Sequence, residues 1–226
     1  MAQLNTLPAH TPPQSPLSAL TLMQDAAVIP VIVLNDVQHA IPMAEALMAG
    51  GIRVLEITLR TPQGLASIEA IAKALPEAWV GVGTVRSPQD AQDAVNAGAR
   101  FAVSPGYTSA LGVYCKKLSL PLLPGVATGS EIMTAQADGY QQLKFFPAVQ
   151  AGGVQMLKAW HGPFNDVQFC PTGGISMANA AEFLALPNVA CVGGSWLVPA
   201  QAMQEHRWKQ ITQLAREAVS LQGDVN

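Results

Sequence analysis

Residues 52–83 read IRVLEITLRTPQGLASIEAIAKALPEAWVGVG, and this stretch carries the rhythm that decides the fold. An apolar run over 52–58 ends before Thr61-Pro62, an Ala-rich segment of helical composition follows over 62–75, and a second apolar run covers 79–83. Two strand-like runs joined by a helical segment form a βαβ unit, the connection that parallel strands require. The runs are mostly apolar along their whole length, which marks strands covered on both faces.

Outward from this unit the same alternation fills the chain. Further strands are expected over 28–34, 101–104, 121–124, 141–145, 167–170 and 189–193, and further helices over 37–49, 88–97, 109–117, 130–137, 153–159, 177–186 and 200–221. The helix over 37–49 runs into Gly50-Gly51 and the one over 88–97 into Gly98, where a left-handed stop favours glycine. Eight strand–helix units in 226 residues imply an α/β fold built as a single (β/α)8 TIM barrel, an architecture that typically takes about 250 residues. A doubly wound open sheet is the alternative. An extra N-terminal helix over 16–26 has no strand before it and is expected to cap the bottom of the barrel. Residues 1–16 contain Pro8, Pro12, Pro13 and Pro16 and are expected to be a flexible tail, which leaves 17–226 as one domain.

Composition narrows the function classes. With 50% hydrophobic and 12% charged residues the chain buries more than it solvates, which excludes disorder for most of its length. The net charge is -3 and the 12 basic residues are mostly scattered, so no footprint for nucleic acid is visible. The N-terminus lacks the basic start and apolar stretch of a signal peptide. The uncharged stretch between Glu182 and Glu205 is interrupted by Pro187, Asn188, Gly193, Gly194 and Pro199, which argues against a membrane span. Cys115, Cys170 and Cys191 are odd in number and widely spaced, as suits reduced thiols in a cytoplasm. All three read as buried small hydrophobes, although the adjacent Lys116-Lys117 is expected to lower the Cys115 pKa somewhat. His10, His39, His161 and His206 share no metal-ligand spacing, so no metal site is expected.

Two strands carry residues that a barrel interior does not need for packing. Lys144 lies in Leu143-Lys144-Phe145-Phe146-Pro147, with apolar neighbours and no adjacent charge. An amine there is expected to lose hydration and have its pKa lowered, which makes it a nucleophile for a carbonyl. The alternative is a lysine that snorkels to the rim or pairs with a carboxylate. On Val54-Leu55-Glu56-Ile57-Thr58-Leu59-Arg60 the period of two puts Glu56, Thr58 and Arg60 on one face, pointing into the barrel. They read either as a structural Glu56–Arg60 pair or as a proton-transfer carboxylate beside a guanidinium that binds a substrate carboxylate. Thr84, after Gly83, offers a hydroxyl that is more simply an ordinary strand-end threonine. Gly173-Gly174 and Gly193-Gly194-Ser195 are expected to form turns after strands seven and eight, where barrels commonly cradle phosphate with backbone N–H groups and glycine permits φ > 0.

Taken in linear order, Ile29-Pro30-Val31-Ile32, residues 51–61, Gly83-Thr84-Val85, Ser104-Pro105-Gly106, Lys144-Phe145-Phe146-Pro147-Ala148, residues 169–175 and residues 193–198 closely resemble the bacterial 2-keto-3-deoxy-6-phosphogluconate (KDPG) and 4-hydroxy-2-oxoglutarate (KHG) aldolases, from about residue 18 onward. The resemblance implies that Lys144 forms an imine with the substrate ketone, that Glu56 moves the proton, and that Arg60 and Thr84 hold the pyruvyl carboxylate. It implies further that Pro105 and Phe146 line the pocket, that Thr172 lies near the substrate hydroxyls, and that Gly173, Gly174, Gly193, Gly194 and Ser195 take the phosphate. It also implies a cytoplasmic homotrimer without a cofactor, acting on a small phosphorylated keto acid and releasing pyruvate and glyceraldehyde 3-phosphate. A galactonate-series aldolase and a non-catalytic phosphate-ligand sensor on the same scaffold are the rivals. Asn35-Asp36 departs from the family, which often has basic residues after the first strand.

Overall fold

The computed structural model describes residues 17–221. The expected tail over 1–16 lies outside them. Nine parallel strand segments are β1 (Val28–Ile32), β2 (Val54–Thr58), β3 (Trp79–Gly83), β4 (Ala102–Val103), β5 (Leu122–Leu123), β6 (Gly125–Val126), β7 (Gln142–Phe145), β8 (Gln168–Pro171) and β9 (Val192–Gly194). They run β5-β4-β3-β2-β1-β9 on one side and β6-β7-β8 on the other. Bridges between Phe169 and Val189 and between Thr172 and Gly193 join β8 to β9, which closes the ring.

β5 and β6 are the two halves of the expected strand over 121–124 and its extension. Pro124 between them has no N–H to donate. The sheet changes partner there: Leu122 and Leu123 pair with β4, while Gly125 and Val126 pair with Lys144 and Phe145 of β7. The Pro124 carbonyl still accepts from the Lys144 N–H at 2.8 Å, so the break sets the height of Lys144 in the barrel.

Among the described residues the α-helices are α1 (Ala19–Asp25), α2 (Ala40–Ala49), α3 (Gly64–Ala74), α4 (Pro88–Asn96), α5 (Ser109–Lys117), α6 (Gly129–Ala137), α7 (Gly153–Trp160), α8 (Ala180–Leu184), α9 (Ala200–Gln204) and α10 (Trp208–Ser220). Starts are fixed by side-chain caps: Ser87 and Asp90 form a capping box on α4, as Thr128 and Glu131 do on α6. The helix expected over 37–49 begins as a 3₁₀ turn at Val37–His39, capped by Asp36. The helix expected over 200–221 is in fact two. His206 takes φ +53°, its N–H reaches Met203 O, and Arg207 N–H reaches Ala202 O at 2.8 Å, a left-handed stop made without glycine.

The main core lies between strands and helices. A second cluster fills the lower barrel interior, where Ile29, Val54, Phe101, Val103, Leu123, Cys170 and Cys191 meet Leu22 and Met23 of α1. The N-terminal helix therefore closes the bottom, as its sequence suggests. Met23 is only 1% exposed. Met23→Ala is expected to cost about 2–5 kcal/mol, read as a lower urea midpoint with an unchanged slope. A loss well under 1 kcal/mol would mean that α1 is not part of the cooperative unit.

Candidate active site

Above the apolar floor two charges face each other. Lys144 comes from β7 and Glu56 from β2, across the ring, and their Nζ and Oε1 atoms are 3.3 Å apart with both residues 3% exposed. Lys144 thus has a carboxylate partner deep in the barrel and does not snorkel to the rim. Glu56 fits because β3 presents Gly83 to it: a Cβ there would lie 2.3 Å from Oε1. The Lys144 ammonium also stands 5.3 Å from the centre of the Phe146 ring, within reach of its negative face.

The other residues of strand two part company. Thr58 does not offer its hydroxyl to the interior; it donates to Ile32 O at 2.9 Å, and Thr61 likewise donates to Leu34 O. These two bonds tie the end of β2 to the end of β1. Arg60, expected to point into the barrel, lies exposed beyond the strand, and its Nε donates to Thr84 Oγ1 at 3.4 Å. The ion pair recorded for Glu56 is with Lys144, so the reading of Glu56 and Arg60 as a structural pair does not hold. Thr84 has φ +64°, a conformation that a β-branched residue adopts only under strain worth about 1–3 kcal/mol. It is more than an ordinary strand-end threonine: the chain turns sharply after Gly83 and presents its hydroxyl to Arg60.

The remaining expected residues lie on the same C-terminal face. Pro105 follows β4, and its backbone packs so closely on Gly125 that a Cβ there would be 2.4 Å from the Pro105 carbonyl carbon. Gly173 and Gly174 have φ +99° and +77°, the left-handed turn expected of them, and Gly173 lies under the Phe146 ring. The second glycine pair is different. Gly193 and Gly194 belong to strand β9, outside the positive-φ set, and their lack of a side chain is a matter of space. A Cβ on Gly193 would be 2.2 Å from Thr172 Oγ1, and one on Gly194 would be 1.8 Å from the Trp196 ring. Thr172 is buried, with its hydroxyl donating to Cys170 O at 3.3 Å, and Ser195 is exposed.

A cleft of about 370 Å³ opens beside these groups, between the ends of β1 and β9, with Val31, Asn35, Asp36, His39 and Ser195 among its lining. Of these the sequence marked Ser195 for a site and Asn35-Asp36 only as a departure from the family. Thr61 and His39 were missed, and no spacing rule would have found them, because each matters through a partner distant in sequence. The cysteines are buried and free, and burial pushes the Cys115 thiol up to about 11, against the lowering expected from Lys116-Lys117. Among the described residues no three His, Cys, Asp or Glu side chains converge in a way that suits a metal ion.

Known proteins resemble this chain in sequence and fold. The family model for KDPG and KHG aldolases matches residues 20–214. The KHG/KDPG aldolase of Escherichia coli K12 is 52% identical over 202 residues, 89% of this chain and 95% of its own. Among solved structures, the KDPG aldolase of Legionella pneumophila, in which pyruvate was captured at low pH as a covalent carbinolamine, superimposes with a TM-score of 0.88 at 49% identity, covering 90% of this chain and 98% of that one. The Zymomonas mobilis enzyme with 3-phosphoglycerate gives 0.84 at 44% identity, covering 90% and 95%. With a family model spanning most of the chain and relatives near 50% identity over almost their full length, this chain belongs to the KDPG and KHG aldolase family.

Proposed function

We propose that this chain is a class I, Schiff-base aldolase that cleaves 2-keto-3-deoxy-6-phosphogluconate to pyruvate and glyceraldehyde 3-phosphate, and 4-hydroxy-2-oxoglutarate to pyruvate and glyoxylate. The observation that carries it is the buried contact of 3.3 Å between the Lys144 amine and the Glu56 carboxylate inside the barrel. A carbon–carbon lyase of this class needs a nucleophilic amine and a proton carrier within one small space.

The Lys144 ammonium passes a proton to Glu56, the free amine adds to the C2 ketone, and the resulting carbinolamine takes that proton back as it loses water to form the iminium. Glu56 accepts the C4 hydroxyl proton through a water. The C4 oxygen becomes the aldehyde oxygen as the C3–C4 bond breaks, and that electron pair passes into the iminium to leave an enamine. Glu56 returns the proton to C3, and water hydrolyses the resulting iminium to release pyruvate and restore the Lys144 ammonium. Arg60 and Thr84, joined at 3.4 Å, are the proposed carboxylate clamp. Pro105 and Phe146 wall the pocket, Thr172 faces the hydroxyls, and Gly173, Gly174, Gly193, Gly194 and Ser195 offer the phosphate their backbone donors. The carbinolamine captured in the Legionella protein supports the covalent step. The enzyme works in the cytoplasm as a homotrimer.

Pyruvate with borohydride is expected to leave one stable adduct per chain, mapped by peptide mass spectrometry to Lys144, and to abolish activity that borohydride alone spares. An adduct on Lys116, Lys117 or Lys158, or none, would overturn the assignment. Glu56→Gln is expected to keep adduct formation while kcat falls about 10²- to 10⁴-fold, because the amide preserves shape but accepts no proton. Turnover near that of the native chain would reduce Glu56 to a packing partner of Lys144.

A further inference from the structure

The turn after β8 holds a row of backbone donors in reserve. Thr172 N–H donates to Phe145 O at 2.9 Å, whereas the N–H groups of Gly173, Gly174 and Ile175 make no hydrogen bond among the described residues. Gly173 and Gly174 have φ +99° and +77°, and successive N–H groups in such a turn form a concavity that suits an anion. Two adjacent glycines have the most backbone freedom to lose, so the turn needs a brace from outside. Asn179 supplies it: its Nδ2 donates to Gly174 O at 3.0 Å and its Oδ1 accepts from Ser176 N–H at 2.8 Å. Only a side-chain amide offers a donor and an acceptor in one planar group that does not titrate. Asn179 stands at the start of α8, yet its side chain makes no capping bond to that helix. Both of its recorded side-chain bonds go to the turn. The turn in its own right is joined to the segment that follows Lys144. Ala148 N–H donates to Thr172 O at 2.8 Å and Val149 N–H to Gly173 O at 3.1 Å. A Cβ on Gly173 would lie 3.2 Å from Pro147 Cα and 3.3 Å from the Phe146 ring, and one on Gly174 would lie 2.7 Å from Val149 Cβ. The centre of the Phe146 ring is 5.3 Å from Lys144 Nζ, so the turn and the amine are held in one register.

We propose that Asn179 is a positioning residue for the phosphate end of the substrate: its amide, by bracing Gly174 O and Ser176 N–H, keeps the Gly173, Gly174 and Ile175 N–H groups gathered for the phosphate at a fixed distance from Lys144. The proposal rests on the aldolase reading above and on its assignment of the phosphate to the glycine turns. Without the brace the Gly174 carbonyl and the Ser176 N–H lose their partners, and the turn samples shapes in which its donors no longer converge. The pyruvyl half of the substrate is held elsewhere, by Lys144, Arg60 and Thr84, so the loss falls on phosphate recognition and leaves imine formation intact.

Asn179→Ala in the full chain tests this, assayed by pyruvate release from 2-keto-3-deoxygluconate with and without its 6-phosphate. For the phosphorylated substrate kcat/KM is expected to fall about tenfold to hundredfold, mainly through KM, the size of losing hydrogen bonds to a charged group. For the unphosphorylated substrate it is expected to stay within about twofold, because that substrate never used the turn. Asn179→Asp still accepts from Ser176 N–H but has no donor for Gly174 O, and it is expected to lower the phosphorylated-to-unphosphorylated ratio as well. Met23→Ala, at the bottom of the barrel, is expected to lose stability with the ratio unchanged, which separates positioning from general loosening. An unchanged ratio in both Asn179 variants, or an equal loss on the two substrates, overturns the proposal. Equal kcat/KM for the two substrates in the native chain would instead bring down the phosphate assignment, and absence of a borohydride-trapped pyruvate adduct would bring down the aldolase reading itself. A native chain that passes both checks while the Asn179 variants keep its ratio removes Asn179 alone.

Discussion

An ammonium and a carboxylate 3.3 Å apart in the middle of an apolar barrel set conditions on everything around them. Desolvating each ion costs several kcal/mol, and their mutual attraction offsets that only when the geometry is good. Good geometry here depends on placement from two strands on opposite sides of a closed ring. The height of Lys144 is set by the Pro124 carbonyl bond and the change of strand partner at that proline. The space for Glu56 is set by Gly83, and the apolar layer beneath is closed by Leu22 and Met23. A hydrophobic pair of similar volume would give the barrel an equal or better core, so packing does not explain these two residues. The proposed reaction, which needs both, accounts for them.

The rim above the pair is held by hydrogen bonds from side chains to strand-end backbone. Thr58 and Thr61 fasten β2 to the carbonyls of Ile32 and Leu34, which fixes the direction in which the chain leaves β2 and hence where Arg60 stands. Thr84 adds strain to the same region, with its left-handed backbone turned so that its hydroxyl meets the guanidinium. Strain of this kind persists only where surrounding structure over-determines it. Here the Val85 N–H bond to Val103 O provides that constraint immediately after the turn.

What could be read from the sequence follows from where the physical signal is local. Lys144 among apolar neighbours and the two-residue period of strand two are properties of seven or fewer consecutive residues, and both led to the site. The α9–α10 break was hidden because the left-handed stop uses His206 in place of glycine. Gly193-Gly194 was misread as a turn because a glycine pair has the same appearance whether it supplies positive φ or leaves room for Thr172 and Trp196. The split at Pro124 and the cleft between β1 and β9 arise only on closure, when segments far apart in sequence become neighbours.

The two ends of the barrel show how the chain divides stability from chemistry. At the bottom, Arg53 stands 4.0 Å over the Trp79 ring and pairs with Asp25 at the end of α1. That pair is substantially exposed on the arginine side, and such contacts contribute about 0–1 kcal/mol, so orientation of the plug is their main effect. Burial of Leu22 and Met23 contributes about 1.5–3 kcal/mol each, and this holds the plug shut. At the top the opposite choices are made: strained Thr84, exposed Arg60 and Ser195, and left-handed Gly173 and Gly174. Each of these weakens the local structure or leaves it wet. A barrel sealed firmly at one end tolerates that, because the strands that carry the top residues are anchored from below, and the rim can be shaped by what must enter it.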